Sequence, residues 1–305
     1  MKQKTKNIFQ FVFIILSLIF IVVVCNKNID ALKDRTWNIR WEMIGFSVLL
    51  NMLVGLGQFN VWHVVTKVLD CAVPVKVALR SWYVSQIGKY IPGKFFMLLY
   101  RFTAYSDKNK INLSIGFYLE TLFALLAAGC WSLCFVFFIT DKSEVFKPQY
   151  IMLLIPFLMI FCHHKVINYV VQKMMRVLKK ESKPINVNWL QYCKLFLLNL
   201  LNWFVLGFAF FLYTNAFISS GIDQLFLLTG ILAASVILGM MSIFSPAGIG
   251  VRESVLILLL SYVFEIEIAI AIALSSRLWF TFCELLSSIL VVLLIKKDQV
   301  IQVES

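Results

Sequence analysis

The chain has 305 residues, of which 61% are hydrophobic and 14% charged, with a mean hydropathy of +0.86. A soluble domain is nearer half apolar and a quarter charged, so composition excludes a soluble globular protein and predicts an all-α, polytopic membrane protein. In that setting the formal net charge of +12 reads as loop Lys and Arg beside anionic lipid head groups, not as a nucleic-acid surface.

Lys2, Lys4 and Lys6 precede a first apolar run, about 7–25. It is of spanning length and no small-residue cleavage site follows, so it reads as a retained helix with a cytoplasmic N-terminus. Residues 26–40 carry charges of both signs and read as a connecting segment. A second span is expected at about 41–62, with Trp41 and Trp62 as interfacial anchors. Residues 63–80 are mixed and basic, as on a cytoplasmic face. The stretch 81–100 is apolar and aromatic but broken by Gly88, Lys89, Pro92, Gly93 and Lys94. It reads as a re-entrant pair of short helices, followed by a basic patch at 101–110. A third span is expected at about 113–140, with Glu120 inside it, and a short fourth at about 150–162. Residues 163–188 carry Lys165, Lys173, Arg176, Lys179, Lys180 and Lys183 with apolar residues near one face, the pattern of a basic helix on the cytoplasmic surface. A solvated loop is the alternative there. Spans five and six are expected at about 189–213 and 224–244. The last, about 268–295, contains Arg277 and Glu284, and Lys296 and Lys297 place the C-terminus inside. The expected organisation is one integral-membrane domain over 1–305, with halves 7–140 and 150–295.

The second interruption is Ser245-Pro246-Ala247-Gly248-Ile249-Gly250-Val251-Arg252-Glu253-Ser254. A proline removes a backbone donor and blocks the preceding turn. Irregular backbone at membrane depth survives only where protein or a wet cavity covers it. Interrupted segments in corresponding halves of a chain are a sequence pointer to a transporter site and to an inverted repeat.

Ionisable side chains within spans cost at least about 2.5–3.5 kcal/mol on insertion scales and need partners or a function. Lys89, Lys94, Arg101 and Arg252, with Tyr90, Pro92, Gly93, Pro246, Gly248, Gly250 and Glu253 around them, form a candidate site for a phosphate-bearing lipid head group. Arg offers bidentate hydrogen bonds, and free helix N-termini add positive potential. Glu120, Arg277 and Glu284 would balance charge. The competing reading makes Arg252–Glu253 and Arg277–Glu284 structural ion pairs. Tyr83, Tyr90 and Tyr100 are candidates to line the site, although interfacial placement is commoner for such residues. His63, His163 and His164 read as interfacial.

Signals for chemistry are sparse. The seven cysteines are scattered. Cys130 and Cys134 lie one helical turn apart without further ligands nearby, so no metal site and no cofactor is expected. No nucleophile elbow, zinc-protease, P-loop or dinucleotide motif occurs, so the chain is not expected to be an enzyme. Asp30 and Asp34 are the weak counter-signal, as acids a membrane glycosyl- or lipid-transferase could use.

At Gly88-Lys89-Tyr90-Ile91-Pro92-Gly93-Lys94 with Arg101, and at Ser245 through Glu253, the chain resembles the flippase-like, or lysylphosphatidylglycerol synthase transmembrane, family. The resemblance covers about 7–296. It implies a multi-span protein of the cytoplasmic membrane that moves, or helps move, a lipid with a polar head. Members fused to a soluble aminoacyl-transferase domain make lysyl-phosphatidylglycerol. That domain is not seen here, so aminoacyl-lipid synthesis is not expected. Stand-alone relatives are linked to cell-envelope glycan or polyprenyl-lipid pathways, which leaves the substrate open between a lipid with an anionic head group and one with a polyprenyl-phosphate head group. Two readings stand: a lipid flippase, or a non-transporting partner of an envelope glycan or lipid enzyme, docking through 163–188. Homo-oligomerisation is open.

Overall fold

The computed structural model describes residues 21–88, 95–140, 189–241 and 250–295, together with Ile19, Lys165, Tyr169, Gln172 and Gly248. The calls at Lys89, Tyr90, Pro92, Gly93, Lys94 and Pro246, the fourth span, His163, His164, and all but three residues of the basic 163–188 segment lie outside these.

Residues 21–27 are helical. Thereafter come α1 (Ile29–Asp34), α2 (Trp41–Val68), α3 (Val75–Ile87), α4 (Phe95–Ala104), α5 (Lys110–Thr140), α6 (Trp189–Asn215), α7 (Gln224–Met241), α8 (Val251–Leu260) and α9 (Ile266–Leu294). Among the described residues there is no strand, and α2, α5, α6 and α9 are long and apolar enough to cross a membrane. The chain is a polytopic helical membrane protein. Its outer faces are apolar: Leu278, Phe282, Leu285, Ile289 and Leu293 run up α9 at helical spacing, all exposed. The inner faces carry the polar groups, such as Ser47, Asn51 and Asn199, which are buried. This is the arrangement lipid selects, with apolar side chains facing it and polar ones turned inward, while helices satisfy their interior backbone groups internally.

Boundaries differ from the sequence reading at three places. Residues 29–34, expected as a connecting segment, form α1. The second span continues through residues 63–68, because His63, Val65 and Thr66 are buried there against neighbouring helices. It stops at Asp70, whose φ of 54° is left-handed. Cys71 N–H donates to Thr66 O at 2.8 Å and Asp70 N–H to Lys67 O at 3.3 Å, which is a Schellman ending. The second interruption closes earlier than expected, since α8 begins at Val251 rather than after Ser254.

The helices alternate between two ends of the bundle. At one end Asn112 donates to Leu69 O at 3.1 Å and Arg80 to Val292 O at 3.2 Å. That end gathers Lys67, Lys76, Arg80, Lys108 and Lys110 against Asp70 and Asp107; we call it the basic end. At the other, Arg35 pairs with Glu265 at 2.5 Å, Arg40 N–H donates to Ala216 O at 3.0 Å and Trp37 meets Phe217 edge-on. It gathers Asp30, Asp34, Glu42, Asp223, Glu265 and Glu267 against Lys27, Lys33, Arg35 and Arg40; this is the acidic end.

The order long helix, two short helices, long helix occurs twice: α2–α3–α4–α5 and α6–α7–α8–α9. α2 runs from the acidic end to the basic end, and α6 runs back. The second unit is therefore inverted relative to the first. Packing is reciprocal: α2 lies against α6, α3 of the first unit against α9 of the second, and α7 of the second against α5 of the first. The two units share one interface rather than standing side by side.

Candidate functional site

Each short-helix pair is a hairpin. α3 has 13 residues and α4 has 10, about 20 and 15 Å at 1.5 Å per residue, against a hydrocarbon core of about 30 Å. Neither crosses alone. A Cβ on Gly88 would stand 3.1 Å from Met97 N and 3.2 Å from Phe96 C, so the end of α3 abuts the start of α4. This hairpin enters from the basic end. The α7–α8 hairpin enters from the acidic end. Gly248 and Gly250 have φ of 70° and 85°, a region costly for any residue with a Cβ. A Cβ on Gly248 would meet Gly239 Cα at 3.2 Å, so the turn packs directly on α7 backbone.

One cavity of about 410 Å³ receives both hairpins. Gln86, Met97 and Arg101 line it from the first, Gly239, Met240, Gly248 and Arg252 from the second, and the long helices supply the remaining walls. Of the residues picked out by sequence, Arg101, Glu120, Gly248, Arg252, Arg277 and Glu284 reach the cavity. Gly250 and Glu253 stand immediately behind it. Tyr83 lines it, whereas Tyr100 is exposed on the outer surface. His63 is buried and stacked on Phe59 at 5.7 Å; the two rings sit one turn apart on α2.

The ionisable groups form a pattern the spacing alone did not show. Arg101 on α4 is fully buried and pairs with Glu120 of α5 at 2.5 Å. Its Nε donates to Ser85 Oγ at 3.1 Å and its guanidinium stacks 4.1 Å from the Trp62 ring. Glu120 also accepts from Trp82 Nε1 at 2.8 Å. In the second unit, Glu253 on α8 faces Arg277 of α9 at 3.4 Å. Its other oxygen accepts from Gly250 N–H at 2.7 Å, closing the N-terminus of α8 in the manner of a capping box and placing negative charge at the positive helix end. So Arg277 joins Glu253 across the turn between α8 and α9. In each unit the second short helix is pinned to the following long helix by an ion pair, with the signs exchanged. Arg252 lays its guanidinium 4.1 Å over the Phe280 ring.

Just outside the spans, burial pushes the Tyr105 phenol up to about 12. It is a neutral hydroxyl accepting the Trp62 indole N–H at 2.8 Å, which orients the ring against Arg101. Burial also raises the Cys71 thiol. Among the described residues no group of three or more His, Cys, Asp or Glu is placed to hold a metal.

Sequence reasoning missed the amides. Asn51 and Gln58 on α2 and Asn199 and Asn202 on α6 all line the cavity. The available signal was their spacing, seven residues apart on one helix and three on the other, which keeps each pair on one face of an otherwise apolar span. Trp82 and Trp203 add flat apolar walls.

Two opposed helical hairpins meeting in one cavity define a membrane protein of the inverted-repeat, broken-helix class. Residues 7–286 match the family described as Lysylphosphatidylglycerol synthase TM region, and the chain belongs to it. No curated protein matches the chain.

Proposed function

We propose that the protein is a lipid translocase that carries a phosphate-bearing head group through the 410 Å³ cavity across the cytoplasmic membrane. The observation that carries this reading is the shared cavity: a hairpin from each end of the bundle closes on the same space. Movement of one hairpin would open the space to one side, and movement of the other to the opposite side, which is the logic of alternating access. Arg252 is the described cation best placed to meet a phosphate, because it reaches the cavity wall from beside the second hairpin's turn. Lys89 and Lys94, in the first interruption, are its expected companions. Arg101 is a pin in this scheme, since Glu120, Ser85 and Trp62 already surround it. With the basic end facing the cytoplasm, as the Lys and Arg distribution favours, the first and last helices leave both termini inside. Catalysis is no part of the proposal.

The test is lipid movement in proteoliposomes by the purified chain and by Arg252→Ala. The wild type is expected to accelerate head-group exchange between leaflets, and the variant to lose at least about tenfold of that rate while melting at the same temperature, a change of about 1.4 kcal/mol in the barrier. Unchanged movement removes Arg252 from the path. A well-folded wild type that moves no lipid, and instead retains an envelope-synthesis enzyme on purification, supports the partner reading.

A further inference from the structure

Resting on the lipid-handling reading above, we infer that the cavity is built for a hydroxyl-rich head group, a sugar or polyol carried beyond the phosphate, and that amides on α2 and α6 read its hydroxyls. Three observations lead there.

First, the ionisable set is balanced. Arg101, Arg252 and Arg277 stand with Glu120, Glu253 and Glu284, and the pairs Arg101–Glu120 and Arg277–Glu253 are formed. Among the described residues this set carries little net charge, and Arg101 and Arg277 are screened by the carboxylates they pair with, so the phosphate is left to Arg252 and discrimination between head groups falls to uncharged groups.

Second, the central helices place amides in the wall. An amide inside a span is costly unless hydrogen-bonded. Asn199 is satisfied by its own helix, donating to Leu195 O at 2.9 Å. Asn202 is different. Its Nδ2 is buried and has no protein partner. Its Oδ1 lies against Gly57, where a Cβ would come within 1.9 Å. Glycine at 57 leaves room for this side chain, and the amide it accommodates still has donors to give. An amide offers two donors and an acceptor, matching the donor–acceptor character of hydroxyls.

Third, the size fits. A water takes about 30 Å³ of liquid, so about 410 Å³ leaves most of its volume unfilled by one phosphate. Aromatic walls with a few convergent polar groups are the usual make-up of a site for an organic group.

The experiment measures binding, so it does not depend on movement. Quenching of cavity tryptophan fluorescence in the purified full chain is followed with two matched pairs: dioctanoyl-phosphatidylinositol against dioctanoyl-phosphatidic acid, and a polyprenyl-phosphate hexose against the bare polyprenyl phosphate. The hydroxylated member of at least one pair is expected to bind about tenfold tighter, the size of one or two ordinary hydrogen bonds. A preference confined to the first pair names a phospholipid polyol, and one confined to the second a glycolipid. Asn202→Ser is expected to erase the preference between the members of each pair. Asn51→Ser is the second variant should Asn202→Ser lower the melting temperature. Equal binding within both pairs overturns the inference, as does a preference that survives both substitutions. Preference without any lipid movement would leave this inference standing and sink translocation; movement without preference would do the reverse.

Discussion

Arg101 shows how a cation can sit inside a membrane protein as structure. Its side chain is fully buried, and every direction is occupied: Glu120 at 2.5 Å, Ser85 at 3.1 Å, the Trp62 ring at 4.1 Å. Burying two charges costs more than their attraction returns unless further hydrogen bonds complete both groups. Here Trp82 completes Glu120. Removing one partner leaves the other charged and enclosed, which typically costs about 3–5 kcal/mol. Arg101→Leu and Glu120→Leu are each expected to lower the melting temperature sharply. The double variant is expected to recover much of the loss, because no lone charge remains. Thermal unfolding of the four proteins in one detergent gives the coupling directly. If the double variant melts as low as the sum of the singles predicts, Arg101 and Glu120 do not act as a pair.

At the level of elements, close helix approach is set by glycine rather than by charge. Without a hydrophobic drive between helices in lipid, association rests on packing, and small residues let backbones come together. A Cβ on Gly230 of α7 would stand 2.6 Å from Phe135 N and 2.9 Å from Trp131 O, both backbone atoms of α5. Backbone cannot step aside as a side-chain tip can. Gly230→Ala is expected to push α7 off α5 and lower the melting temperature, despite alanine's higher helix propensity. Gly45 has nothing within 4 Å of its would-be Cβ, so Gly45→Ala is expected to be neutral or stabilising by up to about 1 kcal/mol. Differential scanning fluorimetry of the two variants separates packing from propensity; a Gly230→Ala protein as stable as Gly45→Ala would mean that α5 and α7 are not in contact. The same elements show what sequence could convey. The long helices were legible because a membrane demands about 20 apolar residues in a row, and the first hairpin because Pro, Gly and Lys cannot sit in lipid unprotected; the second was not, since 224–244 reads as a full span and only the break after it stands out. The exchange of partners was not legible. Glu253 meeting Arg277 across 24 positions depends on how α8 folds back on α9, and α3 packing on α9 on how the two units interlock; no local pattern encodes either. The amides were overlooked for a related reason: an Asn in an apolar span looks alike whether it bonds its own helix, as Asn199 does, or opens on a cavity, as Asn202 does.

At the scale of the molecule, inversion and charge asymmetry are linked. Because α2 and α6 run in opposite directions, the two hairpins enter from opposite ends, and the connections within each unit lie at the end its hairpin enters. The basic end holds the 105–109 turn after the first hairpin; the acidic end holds the 261–265 turn after the second. Lys and Arg near span ends are retained in the cytoplasm, while acidic residues contribute little to orientation. The basic end is therefore expected inside, although Lys27, Lys33, Arg35 and Arg40 at the acidic end oppose this in part. Asp107 and Ser261 are exposed on these two turns. In intact cells, Ser261→Cys is expected to react with a membrane-impermeant maleimide, and Asp107→Cys to react only after the membrane is opened. Parent protein labelled in parallel accounts for the native thiols. Labelling of both positions from outside would contradict a hairpin entering from each face, since the turns would then share a side. Labelling with the sides exchanged would keep the inverted fold but reverse its orientation. The first hairpin would then open outward and the second, with Arg252 beside its turn, toward the cytoplasm.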